Sequence, residues 1–129
     1  MKKKKMVYIL VRVILGLILF SSGATMIALG GKAPVTYDAL AAQNFIQAFQ
    51  NSGYFFYFLG IVKVAVGLTL IINKYVSLAL VVLMPISINM VLFHLFLMPS
   101  TGFPAYTIFL LNVYLMLMNI SNYRDLIRP

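Results

Sequence analysis

The chain has no cysteine and no tryptophan, and only two of its 129 residues, Asp38 and Asp125, are acidic. The lack of cysteine excludes a disulfide framework, a thiol nucleophile, thiolate metal sites and covalent haem attachment. The single histidine, His94, provides neither a bis-histidine haem site nor a metal centre within one chain. The sequence also has no glycine-rich nucleotide loop and no carboxylate pair. We therefore identify no catalytic residue and no metal site in it.

Apolar residues make up most of the chain. Hydrophobic residues account for 63% of the sequence and charged residues for 9%, and the mean hydropathy is +1.00. These shares differ strongly from those of soluble domains, so most of this single domain is expected to lie in lipid. The net charge of +8 comes from basic residues that flank apolar segments. We therefore expect attraction to anionic lipid headgroups and no binding to nucleic acid.

Four apolar segments are long enough to be membrane spans, since about 20 residues cross a bilayer as a helix. The predicted fold is an all-α integral membrane protein, a four-helix bundle with spans at residues 7–29, 54–72, 75–97 and 103–120. An extracytoplasmic loop, residues 31–53, separates the first two spans. Within it, residues 37–51 place apolar and polar side chains on opposite sides. This pattern predicts a short amphipathic helix that lies on the membrane surface or covers the bundle.

The basic residues are distributed asymmetrically between the two sides of this arrangement. With a cytoplasmic N-terminus, the cytoplasmic side receives positions 2–5, Lys74, Arg124 and Arg128. Arg12 lies close to that side, and the opposite side receives only Lys32. Basic residues are enriched in cytoplasmic loops of membrane proteins, so both termini are predicted to be cytoplasmic.

Lys63 lies in the middle of the second predicted span, and it is the strongest functional signal in the chain. A basic group near the bilayer midplane is costly, and it usually faces a protein interior, a wet cavity or a partner. Asp38 and Asp125 both fall outside the predicted hydrocarbon region, so we expect Lys63 to lack an acidic partner within the chain. The alternative is that Lys63 is neutral, or that it extends along a groove to water at one interface.

Glycines recur every seven residues along the first two spans, at Gly16, Gly23 and Gly30 and at Gly60 and Gly67. Seven residues are nearly two helical turns, so each set forms a stripe along which a neighbouring backbone can approach closely. We expect these five glycines to mediate helix packing. Because Lys63 lies between Gly60 and Gly67, it should face the bundle.

Polar residues also lie inside the third and fourth spans, among them Asn89, His94 and Asn112. Amide and hydroxyl side chains within membrane bundles most often join helices by hydrogen bonds. We expect that role for the asparagines, and an interfacial hydrogen bond for His94. Contact with a partner or ligand remains an alternative for all three, as does proton handling for His94.

Several motifs resemble those of one known family. The first span contains VRVILG (residues 11–16) and FSSG (20–23), and the middle of the chain contains INKYV (72–76), MPI (84–86) and LFHLFL (92–97). In residue identity and in spacing, these motifs resemble those of the DoxX family of small four-helix membrane proteins. The resemblance extends over nearly the whole chain. It implies a bacterial cytoplasmic membrane protein that acts as an accessory or assembly subunit, with a quinone-linked redox complex as one setting.

Two positions depart from the family pattern. DoxX-like proteins commonly carry a lysine shortly after the Ser-Gly of the first span, where this chain has Thr25, Met26 and Ile27. They commonly carry a glutamate four residues before the second-span glycine, where this chain has Lys63. A function that depends on an ion pair between those two groups is therefore not implied here.

Three hypotheses follow for the function. The first is a non-catalytic accessory subunit, in which Lys63 meets an acidic group on another membrane protein or on a second copy of the chain. The second is a quinone-binding component of a redox complex, in which Lys63, Asn89 or His94 polarises a carbonyl group. The third is a small lipid or metabolite carrier, in which Lys63 and Arg12 bind an anionic headgroup.

Overall fold

The computed structural model describes residues 2–30 and 38–129, without the side chain of Thr101. These residues form five α-helices and two 3-10 turns, at Pro99–Thr101 and Ile120–Tyr123. The α-helices are α1 (Lys2–Ala28), α2 (Leu40–Asn51), α3 (Phe55–Ile72), α4 (Val76–Leu97) and α5 (Phe103–Met118). Of these, α1, α3 and α4 are long and apolar enough to cross a membrane, and α5 is a shorter apolar helix. The chain is thus an all-α protein with the apolar helices of a membrane protein.

The helix boundaries lie close to those expected from the sequence, with one larger difference. Helix α1 begins at Lys2, five residues before the predicted span at 7–29, because the lysine run continues the helix beyond the apolar segment. The starts and ends of α3, α4 and α5 lie within two residues of the predicted spans. Helix α2 occupies the segment for which a helix was predicted, and Lys32 lies outside the described residues.

Helices α1 and α3 run antiparallel and are in backbone contact at two crossing points. A Cβ atom added to Gly23 would lie 2.6 Å from the Gly60 carbonyl oxygen, and one added to Gly67 would lie 2.6 Å from the Gly16 carbonyl oxygen. Only the absence of side chains at these positions lets the two backbones come this close. The two glycine stripes therefore face each other within the chain.

Gly30 does not belong to this contact, and its predicted role in helix packing is corrected. It follows the end of α1 with a φ of +70°, and among the described residues an added Cβ would meet only the Tyr57 hydroxyl, at 3.4 Å. A glycine with left-handed φ is a common way to end a helix.

The core contains large aliphatic side chains from four helices. It includes Leu15, Leu19, Val66, Leu70, Leu80, Leu83, Ile108 and Leu115. On the outside, every long helix exposes large apolar side chains, for example Leu17, Ile61, Leu78 and Leu110. Such apolar faces are suited to contact with lipid hydrocarbon, which offers no hydrogen-bond partners to polar groups.

Amide side chains join the helices at the middle of the bundle and at the end that carries both termini, here called the terminal end. Buried Asn112 of α5 donates to the Ser87 hydroxyl of α4 at 3.1 Å. Asn119 donates to the Tyr8 hydroxyl of α1 at 3.0 Å. Beyond α5, the Tyr123 hydroxyl donates to the Ser77 carbonyl at 2.8 Å. Burial raises the pKa of Tyr123, so this phenol keeps the proton that it donates.

Candidate functional site

Helix α2 covers the end of the bundle opposite the terminal end, and phenylalanines hold it there. The ring of Phe45 lies 5.3 Å from that of Phe93 on α4, and Phe49 stacks on Phe55 of α3 at 4.0 Å between centroids. Ala42 is fully buried on the same helix. Aromatic pairs at such separations contribute beyond the area that they bury. The aromatic layer therefore fixes α2 over the ends of α3 and α4.

A cavity of about 140 Å³ lies beneath this layer. Its apolar walls consist of Met26, Phe45, Ile46, Phe49, Phe55, Phe56, Leu59, Met90 and Phe93, and its polar lining consists of Lys63, Asn89 and His94. The volume is close to the roughly 150 Å³ of an apolar protein cavity that admits benzene. One ring-sized group therefore fits inside, against a mostly aromatic wall with three polar side chains.

Lys63 is the buried cation of this site, with 5% of its surface exposed. Its Nζ donates to the Ser22 hydroxyl of α1 at 3.3 Å, and its stem passes beside Gly23. An ammonium group has three donors, and the other two have no hydrogen-bond partner among the described residues. Lys63 also forms no ion pair within the described part of the chain. The salt bridge found there joins Asp125 to Arg128 at the surface. Lys63 can therefore bind an acceptor in the cavity.

Asn89 and His94 lie on α4 at the rim of the cavity. Asn89 is exposed although it lines the cavity, so the cavity reaches the surface of the bundle beside it. His94 is half-buried, its Nδ1 lies 3.3 Å from the Met98 carbonyl oxygen, and its ring meets Phe93 edge-on. A carbonyl accepts only from a protonated nitrogen, which assigns the proton to Nδ1.

Arg12 and Asn112 do not belong to this site. Arg12 is 6% exposed and donates from Nη1 to the Leu70 carbonyl oxygen, in the last turn of α3. Carbonyls in a last turn lack helical partners, and a cation there also interacts favourably with the helix dipole. Arg12 precedes Ser22 by ten residues on α1, about 15 Å along the axis. The structure therefore holds Lys63 and Arg12 at different levels of the bundle and does not bring them together, and their joint binding of one headgroup stays a prediction. Asn112, fully buried, bonds Ser87 away from the cavity.

Sequence reasoning did not identify Ser22 or the phenylalanines of α2 as parts of the site. Ser22 precedes Gly23, and Gly23 lies against Gly60, three residues before Lys63 on α3. The glycine stripes would have placed Ser22 beside Lys63 if the register of α1 on α3 had been known. The position of Phe45 and Phe49 depends on how α2 docks, for which the sequence carries no comparable signal.

A second, larger groove of about 280 Å³ lies between α3 and α4, on the outer surface of the bundle, where Ile61 and Leu78 are exposed. Its walls are aliphatic apart from Thr69 and Tyr75, and the Thr69 hydroxyl donates to the Val66 carbonyl at 2.7 Å. No charged side chain lines this groove, unlike the cavity that contains Lys63.

Among the described residues, no three histidine, aspartate or glutamate side chains come together in a way that could hold a metal ion. The resemblance to the DoxX family stays a prediction based on the motifs. Comparison of the chain with protein-family models, with curated proteins and with solved structures found no match.

Proposed function

We propose that this chain is a non-catalytic membrane protein that holds a small molecule with an anionic headgroup and an apolar or aromatic body in the cavity beneath α2. One observation carries the proposal. Lys63 is buried, forms no ion pair with an acid of the described chain, and lines a cavity whose walls contain phenylalanines. A buried charge without a counter-ion is costly. A bound anion offsets that cost, and the phenylalanines bind its apolar part.

The same geometry bears on the accessory role predicted from the sequence. The glycine stripes pack α1 against α3, so they are not available to another subunit. With 5% exposure, the Lys63 ammonium is reached only by a group that enters the cavity. As an accessory subunit, the protein would hold its ligand for a neighbouring membrane protein or a second copy of the chain, rather than pair Lys63 with an acid on a partner's flat helix face.

Quinone binding is the second candidate, because a specific set of side chains favours it. Lys63, Asn89 and His94 all line one cavity, and the amine and the amide donate hydrogen bonds that can polarise a carbonyl. A quinone ring matches the aromatic walls and the ring-sized volume. A quinone is neutral, however, and leaves the charge of Lys63 without a counter-ion, so the anionic ligand is the better match.

We further propose that the bundle has four spans, with α5 as the fourth. Helix α5 has 16 residues, about 24 Å, against a hydrocarbon core of about 30 Å. The turns at its two ends, Pro99–Thr101 and Ile120–Tyr123, extend its path. Both termini then lie at the cytoplasmic face of a bacterial cytoplasmic membrane, and α2 is an amphipathic helix at the outer face.

Cysteine labelling tests this topology against a clean background, because the chain has no cysteine. In intact cells, a membrane-impermeant maleimide should label Gln43→Cys on α2. It should leave Lys3→Cys and Ile127→Cys unlabelled until the membrane is opened. Labelling of position 127 from outside in intact cells would contradict a cytoplasmic C-terminus.

The ligand proposal is tested by what the protein retains and what stabilises it. We expect a small aromatic carboxylate, with benzoate as the probe, to raise the melting temperature of the detergent-purified wild type by about 5 °C at saturation. Lys63→Met should abolish the shift, because it removes the cation and keeps the apolar stem. The matched control is Lys74→Met, at an exposed lysine outside the cavity, which should respond like the wild type.

The same variants separate the other hypotheses. Stabilisation by a short-chain quinone but not by benzoate, with a quinone in the organic extract, would favour the redox component. Loss of a co-purifying protein in Lys63→Met, with no response to either probe, would favour direct contact with a partner's acid. If benzoate raises the melting temperature of the wild type and of Lys63→Met equally, the cavity proposal is wrong.

A further inference from the structure

A second polar cavity lies at the terminal end of the bundle, in the seam between the first turns of α1 and the end of α5. It measures about 340 Å³ and is lined by Lys4, Lys5, Tyr8, Met118 and Asn119. Tyr8 and Ser22 are 14 residues apart on α1, about 21 Å along its axis. This cavity is therefore separate from the one that contains Lys63. An inference about it does not depend on the function proposed for the Lys63 cavity.

The polar groups of this seam are arranged to donate. Asn119 donates through Nδ2 to the Tyr8 hydroxyl oxygen at 3.0 Å and to the Leu115 carbonyl at 2.8 Å. Tyr8 therefore accepts from Asn119, and its own hydroxyl proton has no acceptor among the described residues. Lys4 and Lys5 add two exposed ammonium groups at the same cavity. Two cations and a free hydroxyl proton match a ligand with several anionic oxygens.

The electrostatics of α1 point to the same ligand. Its first turn contains four consecutive lysines and no acidic residue. The start of a helix carries the positive end of the helix dipole, so cations there are unfavourable, and like charges that are close together repel. In the described chain no carboxylate forms an ion pair with these lysines. An anion at the seam would offset the repulsion and stabilise the first turn.

We propose that the α1–α5 seam is a binding site for the phosphate group of an anionic phospholipid. The lysines hold the phosphate oxygens and Tyr8 donates a hydrogen bond to one of them. Met118, which lines the cavity on the α5 side and is exposed, provides apolar surface for the start of an acyl chain. Free phosphate shares the headgroup chemistry but makes no use of this apolar side chain. A lipid is therefore the occupant that the seam fits.

Lipid retention measured by native mass spectrometry tests this site. The full chain is reconstituted with equal parts of phosphatidylcholine and phosphatidylglycerol and then extracted in mild detergent. We expect the wild type to retain phosphatidylglycerol preferentially. The double substitution Lys4→Gln and Lys5→Gln should lower that preference on the order of tenfold, and Tyr8→Phe should lower it less. The matched control, Lys2→Gln with Lys3→Gln, removes the same charge from the same turn and should change the preference less than twofold.

Two results would overturn the proposal. An equal loss in both double variants would show a diffuse attraction of the lysine run for anionic lipid, without a site in the seam. Displacement of phosphatidylglycerol by inorganic phosphate at equal concentration would show that the occupant is a soluble phosphate. All four lysines are exposed, so we expect both double variants to fold, and equal melting temperatures in phosphatidylcholine alone check this.

Discussion

Gly67→Ala is expected to destabilise the bundle by about 3 kcal/mol, at the upper end of what one extra methyl group does in a packed core. The added Cβ would lie 2.6 Å from the Gly16 carbonyl oxygen and 2.7 Å from the Phe20 backbone nitrogen. Both atoms belong to the backbone of α1, so they cannot rotate away as a side chain does. The helices must separate, and the packing of Leu15 and Leu19 against α3 is loosened with them. Reversible unfolding in mixed detergent micelles measures the change.

Gly102→Ala is the matched control for this substitution. It adds the same methyl group at a residue whose φ of −77° any amino acid adopts. Its Cβ would meet the ring of Tyr106, and that side chain can shift without moving a helix. We expect a loss below about 1 kcal/mol. If Gly102→Ala costs as much as Gly67→Ala, close backbone contact between α1 and α3 is not what the glycines provide.

Arg12→Met is expected to cost about 2 kcal/mol, the second largest effect, because it removes a charged donor from a carbonyl that then has no partner. The Leu70 carbonyl lies in the last turn of α3 and accepts from buried Arg12. A backbone group inside an apolar bundle must find its partner within the protein. Arg12 also ties α1 to α3 at a point beyond the Gly16–Gly67 crossing. The loss should appear in the same micelle assay, and it should be independent of any added ligand.

Lys63→Met is the comparison for Arg12→Met. Lys63 and Arg12 are the buried basic residues of the described chain, and both are replaced by methionine. The Lys63 ammonium donates only to the Ser22 hydroxyl in the described chain, and Ser22 can turn to a carbonyl of its own helix. Removing the charge also removes its desolvation cost, so the ligand-free bundle should be unchanged or more stable. If Lys63→Met destabilises the empty bundle as much as Arg12→Met does, Lys63 holds helices together and its role in binding is secondary.

The apolar segments predicted α3, α4 and α5 to within two residues, because a chain in hydrocarbon must satisfy its backbone within each helix. The start of α1 was less predictable. Apolar length indicates where lipid begins, whereas lysine is a good helix former and continues the helix past that point. The chain has one histidine and no cysteine. These counts excluded thiol chemistry, a bis-histidine haem site and a metal centre within one chain before any contact was known.

The candidate site was predictable in part. Lys63 was identified from its place in an apolar run, and the glycine spacing placed it on an inward face. Asn89 and His94 were named without a sign that they line the same cavity as Lys63. Arg12 was grouped with Lys63 because both are basic, although Arg12, on α1, donates to a carbonyl in the last turn of α3, whereas Lys63 lies beneath α2.

The sequence by itself determined that this is a helical membrane protein, where its apolar helices lie, and which faces of α1 and α3 carry the glycines. These properties depend on local spacing and on the cost of polar groups in lipid. Only the tertiary structure decided that the glycine faces meet each other, that Ser22 meets Lys63 across 41 residues of sequence, and that α2 covers the cavity. Those contacts depend on the register and rotation of packed helices, which are set by the packing of the whole bundle.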